Sequence, residues 1–154
     1  MGKITPFLWF DDNAEEAMEF YCSIFPDAKV ENVSRQGDRA FLVSFELAGQ
    51  KFFGLNGGPQ DFGFDESVSF HMECDDQDEV DRLWSALLEG GGTESRCGWL
   101  ADRYGLWWQI IPEALPRLLG DPDPGRAQRA MEAMLKMVKI DVAGLEAAAD
   151  GPEE

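Results

Sequence analysis

Positive charge is scarce in this sequence: 13 lysines and arginines stand against 30 aspartates and glutamates, a formal net charge of −17 at neutral pH. Binding nucleic-acid phosphate or an anionic lipid surface needs a concentrated basic footprint, which so few scattered cations do not build. Nucleic acid and membrane are therefore excluded as partners. Histidine is scarcer still, with His71 the single example. The three cysteines, Cys22, Cys74 and Cys97, are odd in number, widely spaced and free of any CxxC pair, so neither a disulfide framework nor a zinc site is expected. The opening run MGKITPFLWF reaches Asp11 and Asp12 without the long apolar segment of a signal peptide. No stretch approaches the roughly 20 apolar residues that a spanning helix requires. The expected setting is a reducing one, the cytoplasm.

What is present suits a folded domain. Of 154 residues, 44% are hydrophobic and 12% aromatic, enough apolar surface to offset the entropy of ordering the chain. Ile4 to Phe10 reads as a strand with Pro6 near its start. A helix follows, capped by Asp12 or Asn13, with Ala17, Phe20, Tyr21 and Ile24 on its buried face, and Pro26 ends it. Lys29 to Arg35, Arg39 to Leu47 and Lys51 to Asn56 read as strands separated by glycine turns. The order then repeats. Ser67 to Cys74 is a strand, and Asp75 or Asp76 caps a helix with Val80, Leu83, Trp84 and Leu87 inward. Thr93 to Leu100 and Arg103 to Ile111 supply further strands, with a turn at Gly105. Laying Asp12-Asn13-Ala14-Glu15-Glu16 over Asp75-Asp76-Gln77-Asp78-Glu79 gives an offset of 63 residues, which puts Phe7 on Phe70, Tyr21 on Trp84 and Glu46 on Gln109. The matching order of elements indicates duplicated βαβββ modules.

After Pro112 the pattern changes. Asp121-Pro122-Asp123-Pro124-Gly125 turns into a helix whose apolar stripe is Ala127, Ala130, Met131, Met134, Leu135 and Val138, and Asp141 caps a last short turn. Met131, Met134 and Met137 resemble a plastic binding surface, although a methionine stripe at helical spacing is more often core or subunit interface. The tail from Asp150 to Glu154 is expected to fray.

Three runs carry a family resemblance: FDDNAEEAMEFYCSIFP (Phe10 to Pro26), FELAGQKFFGLNGGP (Phe45 to Pro59) and CGWLADRYGLWWQIIP (Cys97 to Pro112). The chain resembles the PhnB-like branch of the glyoxalase and bleomycin-resistance, or vicinal oxygen chelate, superfamily, and its last forty or so residues resemble that branch's C-terminal extension. The resemblance implies an α+β fold in a single glyoxalase-like domain over residues 1–154. Residues 3–59 form the first βαβββ module, 66–112 the second, and 113–149 the helical extension. It also implies a cavity enclosed by curling sheets, a small organic ligand and a homodimer. Some members carry the label 3-demethylubiquinone 3-methyltransferase, but neither glycine run here suits a methyl-donor site. Gly90-Gly91-Gly92 follows a helix, and Gly57-Gly58-Pro59 leads from a strand into a loop.

In metal-dependent relatives four strand residues converge on a divalent ion. By resemblance those positions fall on Thr5, Ser69, Asn56 and Gln109. All four are neutral, and without a carboxylate or an imidazole a divalent cation loses most of its attraction, so no metal and no cofactor is expected. His71 is two positions from Ser69 and shares its strand face. It is the candidate general base, with Glu73 on the same face as a partner; the alternative is a strand histidine that packs or is solvated. Trp107 and Gln109 share a face. With Phe7, Trp9 and Trp99 they can line an aromatic cavity in which the Gln109 amide fixes a planar or carbonyl-bearing ligand. Cys97 could act as a nucleophile, but nothing beside it in sequence activates the thiol. The acidic pairs at Asp11/Asp12, Glu15/Glu16 and Asp75/Asp76 are explained by helix dipoles. The leading expectation is metal-free binding of a small organic molecule. Its rivals are a lyase, isomerase or transferase acting on a small carbonyl metabolite through His71 or a metal, and sequestration of a drug or toxin.

Overall fold

Pro6 has no amide hydrogen to give a sheet, and the first strand of the computed structural model begins just after it, at Phe7 rather than Ile4. The structure describes residues 2–152, so the Glu153 and Glu154 of the expected frayed tail lie outside it. One compact unit ends at Gly63 and a second begins at Phe64.

In the first unit β1 (Phe7–Phe10), α1 (Ala14–Cys22), β2 (Lys29–Gln36), β3 (Arg39–Leu47) and β4 (Gln50–Asn56) follow in order. The sheet runs β1-β4-β3-β2, with β1 parallel to β4 and the other pairs antiparallel. Helix α1 covers one face, burying Ala14, Ala17, Met18 and Tyr21 against Leu8, Phe10, Val43, Phe45 and Phe52. The Phe45 ring stacks on Phe52 at 5.6 Å and on Tyr21 at 6.4 Å.

The second unit repeats this plan with β5 (Ser69–Cys74), α2 (Gln77–Leu88), β6 (Thr93–Glu94), β7 (Trp99–Ala101) and β8 (Trp107–Pro112). Its sheet order is β5-β8-β7-β6, again with the first pair parallel. Asp76 caps α2 by accepting from Glu79 N at 2.9 Å, while the Glu79 carboxylate accepts from Asp75 N at 2.9 Å. Of the strands expected between Thr93 and Ile111, the first is split into β6 and β7, and the second begins only at Trp107, after the expected turn at Gly105. Residues 95–98 turn the chain, and the Asp102 carboxylate captures the amides of Tyr104 and Leu106 at 2.8 and 3.1 Å, organising a second turn.

The repeat is real, but the expected alignment slips. Helices α1 and α2 start 63 residues apart, whereas the strands before them end 64 apart, at Phe10 and Cys74. The first connection has one residue more. A one-residue slip in a strand exchanges faces, so His71, not Phe70, is the counterpart of Phe7. Glu46 lies on the third strand of its unit and Gln109 on the fourth strand of its own, so that pairing falls too. Its cause is the shortness of β6 and β7.

The extension packs into the second unit as α3 (Ala114–Leu119), α4 (Pro124–Met134) and α5 (Val142–Asp150). Helix α3 was not anticipated, and α5 is nine residues where one short turn was expected. The expected α4 stripe is partly wrong. Ala130 is fully buried, but Met131, Leu135 and Val138 are exposed, because α4 stops at Met134 and the inward side is carried on by Ala133, Met134 and Met137. A cluster of Ile111, Leu115, Leu118, Ala130, Ile140, Leu145 and Ala149 joins the helices to the end of β8. Asp150 and Gly151 do not fray. Arg126 Nη1 donates to Asp150 at 2.7 Å, and Arg129 donates to the carbonyls of Ala148 and Ala149 at the C-terminal end of α5.

Polar ties hold the extension as well. Lys139 Nζ meets Asp81 Oδ1 at 2.8 Å, and Arg126 Nε meets Asp121 Oδ2 at 3.0 Å. The hydrogen bond from Lys139, helped by one from Gln77, lowers the Asp81 carboxyl pKa, and the Asp123 amide with Arg126 lowers that of Asp121. A carboxylate depressed in the folded state adds stability that is present above its unfolded pKa and lost as pH falls through the folded value. The melting temperature should therefore be level between about pH 7 and 5 and fall below about pH 4. Combined Asp81→Asn and Asp121→Asn substitutions should flatten part of that acid limb in thermal melts. An acid limb identical to wild type would contradict the assignment.

Candidate functional site

Each sheet has one face under its helix and one face free of it. In the second unit the register decides which side chains fall where. Ser69 pairs with Trp107, His71 with Gln109, and Trp99 with Gln109 from the other side. His71, Gln109 and Trp99 thus form a row across three strands on the face away from α2, with Ser69 and Trp107 in the adjacent row. Trp108 and Ile110 point to the helix side and are buried. Trp108 is fixed there by its indole N–H, which donates to Asp102 Oδ2 at 2.9 Å. On the open face Gln109 Nε2 donates to Ser69 Oγ at 3.0 Å, which orients the amide.

The extension covers one end of this face. Between them lies a cleft of about 300 Å³. His71, Gln109, Trp99 and Ile111 form its floor, Cys97 stands at one side, and Leu115, Pro116, Leu119 and Met134 form the wall. A volume of this size, mostly apolar with a few polar groups, is at the lower end of small-molecule sites. Cys97 and Gly98 both have left-handed backbones, at φ 57° and 84°. Trp99 N closes the turn on Arg96 O at 3.1 Å, and the amides of Cys97 and Gly98 donate to Met137 O and Val138 O at 2.9 and 2.8 Å. A Cβ on Gly98 would lie 2.8 Å from Ile111 Cδ1 of β8 and 3.0 Å from Ile140 Cγ1, so glycine is what lets this turn sit against the extension.

The thiols differ in environment. Burial, helped by the nearby acidic side chains, pushes the Cys74 thiol up to about 12, and burial also raises Cys22. Cys97 is partly exposed and borders the cleft. Sequence reasoning treated Cys97 as an unactivated thiol and did not place it, or the four wall residues, in the site. The glycine after Cys97, before the tryptophan that opens β7, was the available signal for a tight turn. His71 is exposed, and no hydrogen bond joins it to Glu73 among the described residues, so the expected carboxylate partner is not engaged.

The first unit distributes its expected residues differently. Phe7 and Trp9 are on the open face, 55% and 37% exposed, beside Phe53 and Leu55 of β4. Phe7 meets Phe53 at 5.6 Å between ring centres. Trp9 is held by a bond from Nε1 to Gly58 O at 3.0 Å, an edge contact with Phe62 at 5.5 Å, and close packing on Gly57, where a Cβ would fall 2.2 Å from the indole. Thr5 lies apart, in a hollow of about 260 Å³. Charges there pair with one another, Lys51 with Glu31 at 3.7 Å.

Asn56 is not on the open face. It sits on the α1 side, 7% exposed, with Oδ1 accepting from Ala14 N at 2.8 Å and Nδ2 donating to Ala40 O at 2.9 Å. The expected local cap of α1 is absent, since Asn13 makes no side-chain cap bond. Asn56 performs that task from across the sheet. Both ends of its amide are engaged on the buried α1 side, which turns it away from the open face.

The metal set inferred from resemblance therefore does not fit. Asn56 is committed to α1, and what is left, the hydroxyls of Thr5 and Ser69 and the Gln109 amide, supplies no carboxylate and no imidazole. Among the described residues no group of three or more histidine, cysteine or acidic side chains is arranged to hold a metal ion. The glycine runs do not open a methyl-donor site either. Gly57 is covered by the Trp9 indole, and Gly90 lies under the Arg103 guanidinium, whose Nε donates to Glu89 O at 3.0 Å.

Comparison with known proteins places these observations. A family model described as 3-demethylubiquinone-9 3-methyltransferase matches residues 2–111. Among solved structures, the chain is similar to a putative 3-demethylubiquinone-9 3-methyltransferase, PhnB protein, from Bacillus cereus. The identity is 29% and the TM-score 0.68, covering 72% of this chain and 99% of that one. A protein from Pseudomonas aeruginosa is 21% identical with a TM-score of 0.64, covering 73% and 98%. The fosfomycin resistance protein FosX from Listeria monocytogenes, solved with Mn(II) and sulfate, is 18% identical with a TM-score of 0.50, covering 70% and 88%, and shares the fold. No curated protein matches the chain.

Replacing Asn56 with alanine leaves the Ala14 amide and the Ala40 carbonyl buried without their partner. Stability should drop by about 2 kcal/mol in urea denaturation. A loss below about 0.5 kcal/mol would show that Asn56 is not the cap of α1.

Proposed function

Since the chain belongs to the PhnB-like family described as 3-demethylubiquinone-9 3-methyltransferase, with the glyoxalase/bleomycin resistance fold, we propose that it binds a small organic molecule in the cleft of its second unit, without a divalent metal. The observation that carries this reading is the convergence of His71, Gln109 and Trp99 on the floor of a cleft whose wall is apolar. Gln109, oriented by Ser69, offers its amide to a carbonyl or hydroxyl, and Trp99 offers a flat surface. The methyl transfer in the family description is not part of this reading, because the glycine runs are occupied by Trp9 and Arg103.

A second reading is supported by the place of His71 beside Gln109: it takes a proton from a carbon next to the bound carbonyl. In that case His71→Ala abolishes turnover and leaves binding nearly intact. If His71→Ala changes neither, proton transfer has no candidate on this floor. The homodimer remains part of the proposal. Its support is the apolar exposure of Phe7, Phe62 and Val68, and sedimentation at micromolar concentration tests it.

Native mass spectrometry of the purified protein should reveal a retained small molecule. Gln109→Leu should weaken its binding by about tenfold, the cost of one lost hydrogen bond, with thermal stability little changed. Mn, Ni, Zn and Mg should leave the melting temperature unmoved. A rise with one of these ions that disappears in Gln109→Leu would overturn the metal-free reading.

A further inference from the structure

The family match ends at residue 111, and the Bacillus cereus structure accounts for 99% of itself with 72% of this chain. The cleft straddles that limit. Its floor residues His71, Trp99 and Gln109 lie within the matched region, whereas Leu115, Pro116, Leu119 and Met134 lie beyond it, on α3 and α4. Without the extension the open face would carry the same polar row but no wall.

That wall is fixed on several sides. The cluster around Leu115, Leu118 and Ile140 packs it against Ile111 of β8. Two amides of the Cys97-Gly98 turn hold the irregular segment at Met137 and Val138, between α4 and α5. Gln77 of α2 donates to Ile140 O at 3.0 Å and accepts from Val142 N at 2.7 Å. Leu119 and Met134 pack against the cluster yet stay only partly buried, and the surface they leave borders the cleft.

The lining is also notable for its charge. In a chain of net charge −17, no aspartate, glutamate, lysine or arginine lines this cleft. Apart from the His71 imidazole, no basic or acidic side chain lines it to pair with a charged ligand, which would lose hydration there at a cost that a neutral one avoids. About 300 Å³ accommodates one or two rings.

We infer that the C-terminal extension makes this a site for neutral, flat, apolar-bodied carbonyl compounds, with Leu115, Leu119 and Met134 gripping the ring and Gln109 taking the oxygen. The inference rests on the binding function proposed above and narrows it to a ligand class. Met134 is the specificity-determining residue, since its flexible thioether adapts to a ring face and its replacement alters the wall without touching the floor.

The test is equilibrium dialysis of 2-acetylnaphthalene and 2-naphthoate, equal in body and different in charge, at about 0.5 M salt, where long-range repulsion by the protein is screened. Wild type should bind the neutral ketone at least about tenfold more tightly than the carboxylate. Met134→Leu should keep that preference. Met134→Lys should weaken the ketone by about tenfold and bring the carboxylate level or ahead. Equal binding of the two by wild type, tighter binding of the carboxylate, or a preference unchanged in Met134→Lys would overturn the inference. Those outcomes leave the binding function standing, because it is judged by the retained molecule and by Gln109→Leu. Failure of wild type to bind either probe would overturn the ligand class alone if a retained molecule is still found, and both readings if none is.

Discussion

The parallel pairing of Ser69–Cys74 with Trp107–Pro112 is the constraint on which the site depends. It brings His71 beside Gln109 and sends Trp108 and Ile110 to the opposite side, under α2. Moving one strand by a single residue would exchange those sets, exposing two large apolar side chains and burying an imidazole and an amide. The Asp102 carboxylate makes the choice costly to undo. It is 3% exposed and accepts from the Trp108 indole and two backbone amides, so a slipped strand would take a donor from a buried carboxylate. The order of Gln109 on the open face follows from that anchor on the hidden one.

The two units use one plan for different chemistry. In the first, the open-face position corresponding to His71 is Phe7, and the residue paired with it is Phe53. Polar groups there are either paired with one another or, like Asn56, turned toward the helix to cap it. In the second, the same places hold His71 and Gln109, and an added set of helices walls off one end. The two open faces thus differ, and the row of His71, Gln109 and Trp99 under an apolar wall belongs to the second.

Much of this was legible in the sequence, for reasons that can be named. The element order, the acidic helix starts, and the α2 face of Val80, Leu83, Trp84 and Leu87 follow from apolar spacing and caps, and all four of those residues are buried. The alternation that puts Trp107 and Gln109 on one face and Trp108 on the other follows from strand geometry. What was missed depends on long-range partners. The local pattern around Asn13 suggested a cap, but the Ala14 amide is capped by Asn56, 42 residues further along the chain. The slip between 63 and 64 residues lies in a connection whose extra residue no periodicity reports. The stripe through Met131, Leu135 and Val138 continues a helical period past the point where α4 stops. The methionine stripe admitted a binding surface as one reading, but seating Met134 in a site wall requires knowing that the extension folds back against Ile111.

The account holds that ligand is taken up between the open face of the second sheet and the extension. Methionine methyl NMR tests this most directly, because methionines stand at separate places: Met134 in the cleft wall, Met72 on the α2 side of β5, and Met18 buried in the first unit. Titration with the molecule recovered from the purified protein should shift the Met134 methyl and leave Met18 and Met72 in place. A binder that moves Met18 or Met72 and leaves Met134 untouched would contradict the account.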